Sequence, residues 1–290
     1  MTRVDIAIIG SGPAGLEAAL TAKNRNKTIQ LFGSKDLSNK MQVIDHPITN
    51  YLGLPSVTGK EMAAAFTKQI EEANIEITEV KVTTVYAMGD YFNLQLSNGE
   101  FAEAETVILA SGVVAGKPYP GENEFLGRGV SYCATCDAPL YKGKNVTVIG
   151  ESSEEESEAA FLGEVCAHVN YIPLYKTETV FKHENITVIH EKPIEIQGVM
   201  KANTLVTDQN SYDTDCVFVL RAAQFPSQLV PGLAVDGNAV KVDREMRTNL
   251  PGLFAAGDIV GLPYQFIKSA GEGNIAAISA ATYIDHKKRK

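Results

Sequence analysis

Val4-Asp5-Ile6-Ala7-Ile8-Ile9 runs directly into Gly10-Ser11-Gly12-Pro13-Ala14-Gly15, and a helical pattern follows from Leu16 to Lys23. The first six residues are short, apolar and β-branched, which reads as a strand buried in a parallel sheet. The three glycines behind it have separate tasks. Gly10 allows a tight bend, Gly12 lets backbone approach a pyrophosphate, and Gly15 permits close packing of helix on strand. The helix N-terminus then offers N–H groups and partial positive charge to an anion. Glycine turns also occur without a ligand, but here the strand before and the helix after are both in place. The expected fold class is α/β.

Working outward, the next strand, Thr28 to Phe32, ends at Gly33-Ser34-Lys35. An acid for the ribose of NAD is expected near such a strand end. None stands there, and Asp36 lies slightly beyond. FAD therefore stays open as the ligand of this turn. A helical pattern from Lys60 to Ala73 precedes a strand-rich meander from Ile75 to Phe101, with Asn98-Gly99 as a hairpin signal. Thr106 to Gly112 reads as a buried strand entering a glycine turn, and Val113 to Gly121 as a crossing between domains. Near the end, Thr248 to Asp258 reads as a strand closing on Gly257-Asp258, and the last helix begins near Gln265.

A second strand–turn–helix unit starts at Asn145 to Ile149 and continues through Gly150 to Ala160. Only its first glycine remains: Ser152 and Glu155 stand where the others belong. Glu151, Glu154, Glu155, Glu156 and Glu158 crowd the turn. Acids suit a helix N-terminus, so the fold need not suffer. A pyrophosphate placed there would meet dense like charge.

Cys133-Ala134-Thr135-Cys136-Asp137 carries the chemistry. A C-x-x-C is a redox dithiol, half of a zinc site, or a packing pair. Zinc needs four ligands. The remaining cysteines, Cys166 and Cys216, sit alone in apolar runs, and the five histidines show no ligand spacing. The dithiol reading is favoured, with no metal. At 290 residues the chain can hold two domains. Its hydrophobic content of 44% and its 24 glycines suit an ordinary α/β protein. No apolar run approaches a membrane span. A net charge of −9 argues against a nucleic-acid partner. The basic tail, His286 to Lys290, reads as a solvated helix end. With Met1 to Ile6 entering a strand at once and only four cysteines, a cytoplasmic protein is expected.

Together these residues resemble the low-molecular-weight thioredoxin reductases along almost the whole chain. The specific points are Gly10 to Gly15, Ala110-Ser111-Gly112, Gly121 to Val130, Cys133 to Asp137, and Thr248 to Asp258. The resemblance implies two Rossmann-like, three-layer β/β/α domains. An FAD domain over 1–113 and 243–290 would hold an inserted pyridine-nucleotide-type domain over 114–242, which carries the dithiol. It implies that Gly10, Ser11, Gly12, Pro13, Ala14 and Gly15 hold the FAD pyrophosphate, with Gly112, Gly257 and Asp258 also at the cofactor. Gln265 and Phe266 would start the helix that points at the flavin ring. Asn50 matches a flavin-domain contact, with turn chemistry as its alternative.

Departures from the family pattern are informative. NADPH-dependent members grip the 2′-phosphate with a His-Arg-Arg run where Pro173-Leu174-Tyr175 stands here. Arg221-Ala222-Ala223-Gln224 replaces a glycine-containing turn. With the altered Gly150 turn, these changes resemble the ferredoxin-dependent flavin thioredoxin reductases, which do not use NADPH. By that resemblance Cys136 exchanges electrons with the flavin and Cys133 attacks the thioredoxin disulfide. Asp137 would be the acid/base, or else an ordinary helix-end carboxylate. Ferredoxin would be the donor, thioredoxin the acceptor, and the enzyme a homodimer. Two alternatives stay open: an FAD-dependent dithiol oxidase using oxygen, and a non-catalytic flavin redox sensor.

Overall fold

The computed structural model describes residues 3–38, 41–42, 47–112, 118–176, 180–221 and 225–288, with the side chains of Cys136 and Glu154 outside that description. Residues 113–117 of the expected crossing and Ala222, Ala223 and Gln224 also lie outside it. The chain forms two compact units. The first comprises Met1–Leu96, Glu100–Val114 and Phe225–Lys290; the second comprises Ser97–Gly99 and Ala115–Gln224.

In the first unit, β1 (Val4–Ile9) pairs in parallel with β2 (Ile29–Phe32), Ile6 opposite Ile29. Between them α1 (Pro13–Asn24) begins three residues before the expected Leu16. Pro13 explains the early start, because proline fits the first helical position, where its missing N–H is not needed. After α2 (Gly59–Glu72), which opens on a Thr58–Glu61 capping box, β3 (Ile77–Thr78) joins the sheet beside β2. The expected meander is thus partly parallel. Its antiparallel part is β4 (Val82–Ala87), β5 (Phe92–Leu96) and β6 (Phe101–Leu109). The Asn98-Gly99 turn is where expected, Gly99 having φ +82°.

The second unit has a parallel sheet of its own. Its members are β7 (Val130–Ser131), β8 (Asn145–Gly150), β9 (His168–Pro173), β10 (Ile186–Val188) and, after the antiparallel β11 (Pro193–Gly198), β12 (Ala202–Thr207) and β13 (Ser211–Asp213), β14 (Cys216–Leu220). Their order is β10-β9-β8-β14-β7. Two helices matter here, α3 (Ala134–Asp137) after β7 and α4 (Glu156–Val165) after β8. Every residue of β14 is buried, which matches its unbroken apolar sequence.

The chain returns to the first unit at Phe225, not at the expected 243. The cause is packing: Leu229, Val230, Leu233 and Val240 are buried in one cluster with Ala7, Ile9, Val107 and Leu109. Burying each such aliphatic side chain is worth about 1.5–3 kcal/mol, enough to decide which unit a short segment joins. This stretch contains α5 (Pro226–Leu229) and the paired β15 (Val235–Asp236) and β16 (Ala239–Val240). Then β17 (Leu253–Ala255) adds to β6, and α6 (Phe266–Lys287) covers the sheet against α1. Among the described residues no helix is long and apolar enough to cross a membrane.

Candidate active site

In the first unit the ends of β1, β6 and β17 bring three turns together. Gly10 has φ +117°, and a Cβ on it would stand 2.2 Å from the carbonyl oxygen of Ala110. A Cβ on Gly15 would meet the oxygen of Gly10 at 1.7 Å. Both glycines are therefore required by the fold itself. Ser11 is buried and donates its hydroxyl to the Ser34 carbonyl at 2.8 Å, tying the turn to the end of β2. Gly112, in the second turn, has φ +79°.

The third turn is Gly257-Asp258. Ala256 N–H donates to Leu109 O at 2.9 Å, and Gly257 would clash with the methyl of Ala14 if it bore a Cβ. Side chains from α6 hold this turn from behind. Glu272 accepts the Gly257 N–H at 2.9 Å, Lys268 donates to the carbonyls of Gly257 and Gly261, and Ser269 donates to the Asp258 carboxylate at 3.0 Å. Gln265 is the N-cap of α6 and Phe266 its first residue, as expected. Among the described residues the contacts that gather these turns do not include Asn50, which is exposed in the loop closed by the Ile48–Val57 bridge.

Gly12 differs from its neighbours. Among the described atoms a Cβ there would meet the Ser38 Cβ alone, at 3.8 Å, so their packing does not demand glycine. Its helix has no side-chain cap and no acid in the first turn. Beside Gly10, where an added Cβ would stand 2.9 Å from the Ser111 nitrogen, Ser111 Oγ is buried with no hydrogen-bond partner among the described atoms. An open glycine, an acid-free helix start and an orphaned hydroxyl fit a polyphosphate ligand such as FAD. Gly12→Val is accordingly expected to fold, since φ −79° and ψ −178° suit a β-branched residue, yet to purify colourless. Circular dichroism and extracted flavin measure the two halves of that expectation; stoichiometric FAD in the variant would contradict the cradle.

The second unit treats its glycine turn oppositely. A Cβ on Gly150 would stand 2.4 Å from the hydroxyl of Tyr171, a residue with no exposed surface. That hydroxyl bonds to Tyr175 at 2.9 Å, and Tyr175 donates to Glu156 at 2.6 Å. Burial first, then Tyr175 and the nearby carboxylates, push the Tyr171 hydroxyl far above its ordinary pKa, so it stays a donor. Glu155, itself buried, turns back and accepts from the Ser152 N–H at 2.7 Å and the Ser152 hydroxyl at 2.8 Å. Glu158 accepts from Ala134 N at 3.3 Å.

The acids were expected to face a phosphate position; these three are instead committed to partners within the unit. The signal for Glu155 was present, because Ser-x-x-Glu is a capping spacing. Gly150→Ala should lower stability by about 1–3 kcal/mol through overpacking against Tyr171. Thermal melting checks this, and the drop should be the same with and without NADPH.

Cys133 is buried and disulfide-bonded. Its N–H donates to Ser131 Oγ at 3.2 Å, and that hydroxyl donates to the Cys133 carbonyl at 3.3 Å. Cys136 and Asp137 share α3, and the Asp137 N–H closes a turn on the Cys133 carbonyl at 3.3 Å. The side chain of Cys136 lies outside the description. Cys166 and Cys216 are free and buried in one apolar cluster, as packing residues should be. Burial pushes the Cys166 thiol up to about 11 and the Cys216 thiol higher still, so neither forms a thiolate readily. Burial, then Cys216, then the charge of Asp137 also raise the Tyr141 hydroxyl.

Sequence reasoning missed a buried ion pair in this unit. Arg221, just after β14, donates through both terminal nitrogens to Glu122, Nη2 to Oε2 at 3.0 Å. Glu122 also accepts the Tyr132 hydroxyl at 3.1 Å and the Tyr119 N–H at 2.8 Å. Burial works against the Arg221 charge, but the bonds and charge of Glu122 outweigh it and hold its pKa above the ordinary value.

Residues 4–282 match the family model described as pyridine nucleotide-disulphide oxidoreductase. The chain is 34% identical to a thioredoxin reductase of Treponema pallidum, over 98% of both chains. It is 35% identical to a thioredoxin reductase of Peptoclostridium litorale, over 97% of both. Among solved structures it is similar to a ferredoxin-flavin thioredoxin reductase from Clostridium acetobutylicum, with a TM-score of 0.92 and 50% identity over 100% of both chains. The cofactor that fits the glycine turns of the first unit is FAD. The chain belongs to the pyridine nucleotide-disulphide oxidoreductase family and, within it, to the homologues of thioredoxin reductase.

Proposed function

We propose that this chain is a thioredoxin reductase that takes its electrons from reduced ferredoxin instead of NADPH. In this reading the first unit is the FAD domain and the second is the dithiol domain, with a cytoplasmic homodimer as the working form. The observation that carries it is the Glu155 carboxylate on the Ser152 N–H, a protein anion in the turn where a nucleotide phosphate would otherwise be received. The likeness to a ferredoxin-flavin thioredoxin reductase supports the choice of donor.

The residues divide the work. Gly10 to Gly15, Gly112, Gly257 and Asp258 bind and orient the cofactor. When bound, FAD supplies a two-electron store that can be filled one electron at a time. Cys136 is the sulfur that would take electrons from that store, the Cys133 sulfur leaving as a thiolate as the disulfide opens, and Asp137 holds the proton that the Cys136 sulfur gives up or takes. Cys133 Sγ then attacks one sulfur of the thioredoxin disulfide and the other leaves as a thiolate. Attack of Cys136 Sγ on Cys133 Sγ releases the second thioredoxin sulfur and restores the disulfide. Electron flow is downhill: a plant-type ferredoxin at about −400 mV and thioredoxin at about −270 mV give about 6 kcal/mol for two electrons. Anaerobic thioredoxin reduction, assayed with reduced ferredoxin and with NADPH in parallel, is the test. Turnover with NADPH alone would refute the reading.

A further inference from the structure

The Glu122–Arg221 pair is spent on something other than the cofactor turns. Glu122 has no exposed surface and the Arg221 side chain almost none, so the pair forms well away from solvent. Removing two charges from water is costly, and a pair of this kind is weak evidence for stability as such. Its placement is more telling. Glu122 and Tyr119 form a turn soon after the chain enters the second unit, and Arg221 is the last described residue before the chain leaves it. The same carboxylate takes the hydroxyl of Tyr132, the residue immediately before Cys133. Phe218, three residues before Arg221, pairs in the sheet with Ser131, which in turn brackets the backbone of Cys133 with its hydroxyl. The ends of two neighbouring strands, β7 and β14, are therefore stapled together at the point where the reactive cysteine emerges.

We propose that Glu122, Arg221 and Tyr132 are positioning residues that hold the backbone of Cys133 for attack on a disulfide. The inference rests on the dithiol reading above. Arginine is required for geometry as well as charge, because its fork meets both carboxylate oxygens while Tyr132 and Tyr119 are held by the same two atoms.

Glu122→Gln strands a buried guanidinium and threatens the fold, so Tyr132→Phe, which deletes one hydroxyl, carries the test, with Arg221→Lys beside it. Each holoenzyme is reduced anaerobically with one equivalent of dithionite and mixed with increasing amounts of oxidised thioredoxin or of an aromatic disulfide that releases a coloured thiolate. The limiting exchange rate of Tyr132→Phe should fall about tenfold, the loss expected for one hydrogen bond to a charged acceptor, with the half-saturating thioredoxin concentration unchanged. Arg221→Lys should fall at least as far although it keeps the charge. A lowered melting temperature with an unchanged limiting rate would overturn the proposal and leave the network purely structural. A wild-type enzyme that releases no thiolate would overturn both the dithiol reading and this one.

Discussion

Anaerobic addition of millimolar NADPH or NADH should leave the bound flavin yellow, while stoichiometric reduced ferredoxin bleaches it. The nicotinamide half of the expectation follows from what occupies the Gly150 turn, and the ferredoxin half from the donor proposed above. A nucleotide phosphate arriving there must displace the Glu155 carboxylate from Ser152 and then sit beside it. It must also open the Tyr171–Tyr175–Glu156 chain, whose first hydroxyl already fills the space above Gly150. Pro173 and Leu174 offer no cation for a 2′-phosphate, and Tyr175 is engaged with Glu156. Each absent charge-assisted contact forfeits about 1.5–3 kcal/mol, and three of them consume most of a micromolar binding energy. Stopped-flow absorbance in the flavin band makes the comparison. Rapid bleaching by NADPH coupled to thioredoxin reduction would show that these side chains swing aside.

Substituting either cysteine of the pair should abolish turnover, but with different spectra. On the roles proposed above, Cys136→Ser removes the sulfur that serves both the flavin and Cys133, so chemically reduced flavin should stay reduced when thioredoxin disulfide is added. In Cys133→Ser, on the roles proposed above, the remaining Cys136 thiolate should give a long-wavelength absorption band while the flavin is oxidised. Neither variant can complete the two-sulfur cycle, which makes the expected loss of activity total and not graded. The band appearing in Cys136→Ser instead would exchange the two roles.

Features that depend on one residue's own geometry could be read from the sequence. Gly10 and Gly15 are needed because a single added carbon would strike a carbonyl, and their spacing says so. The lone character of Cys166 and Cys216 was visible in their apolar surroundings, and both are buried thiols. Contacts between distant side chains could not be read in the same way. Glu122 and Arg221 are separated by 99 positions and nothing local links them. Gly150 looked like a relic of a binding turn, whereas Tyr171 gives it a packing reason that only the folded sheet reveals. The Ser152–Glu155 spacing is one that a cap can use, but the acids of this turn were read only as a block of charge. The start of α1 and the return at Phe225 were shifted by Pro13 and by aliphatic burial respectively, which periodicity does not resolve.

The Glu155–Ser152 contact also changes how the protein responds to its surroundings. A domain that receives a free nucleotide is stabilised in proportion to supply, by about 2.7 kcal/mol when the ligand stands at a hundredfold its dissociation constant. That contribution vanishes when the pool is drained. An anion carried on the chain itself is present at a fixed effective concentration and cannot be diluted, exported or oxidised away. Folding of the second unit should therefore be indifferent to the nicotinamide pool, and its resistance to proteolysis should be the same in a starved cell as in a fed one.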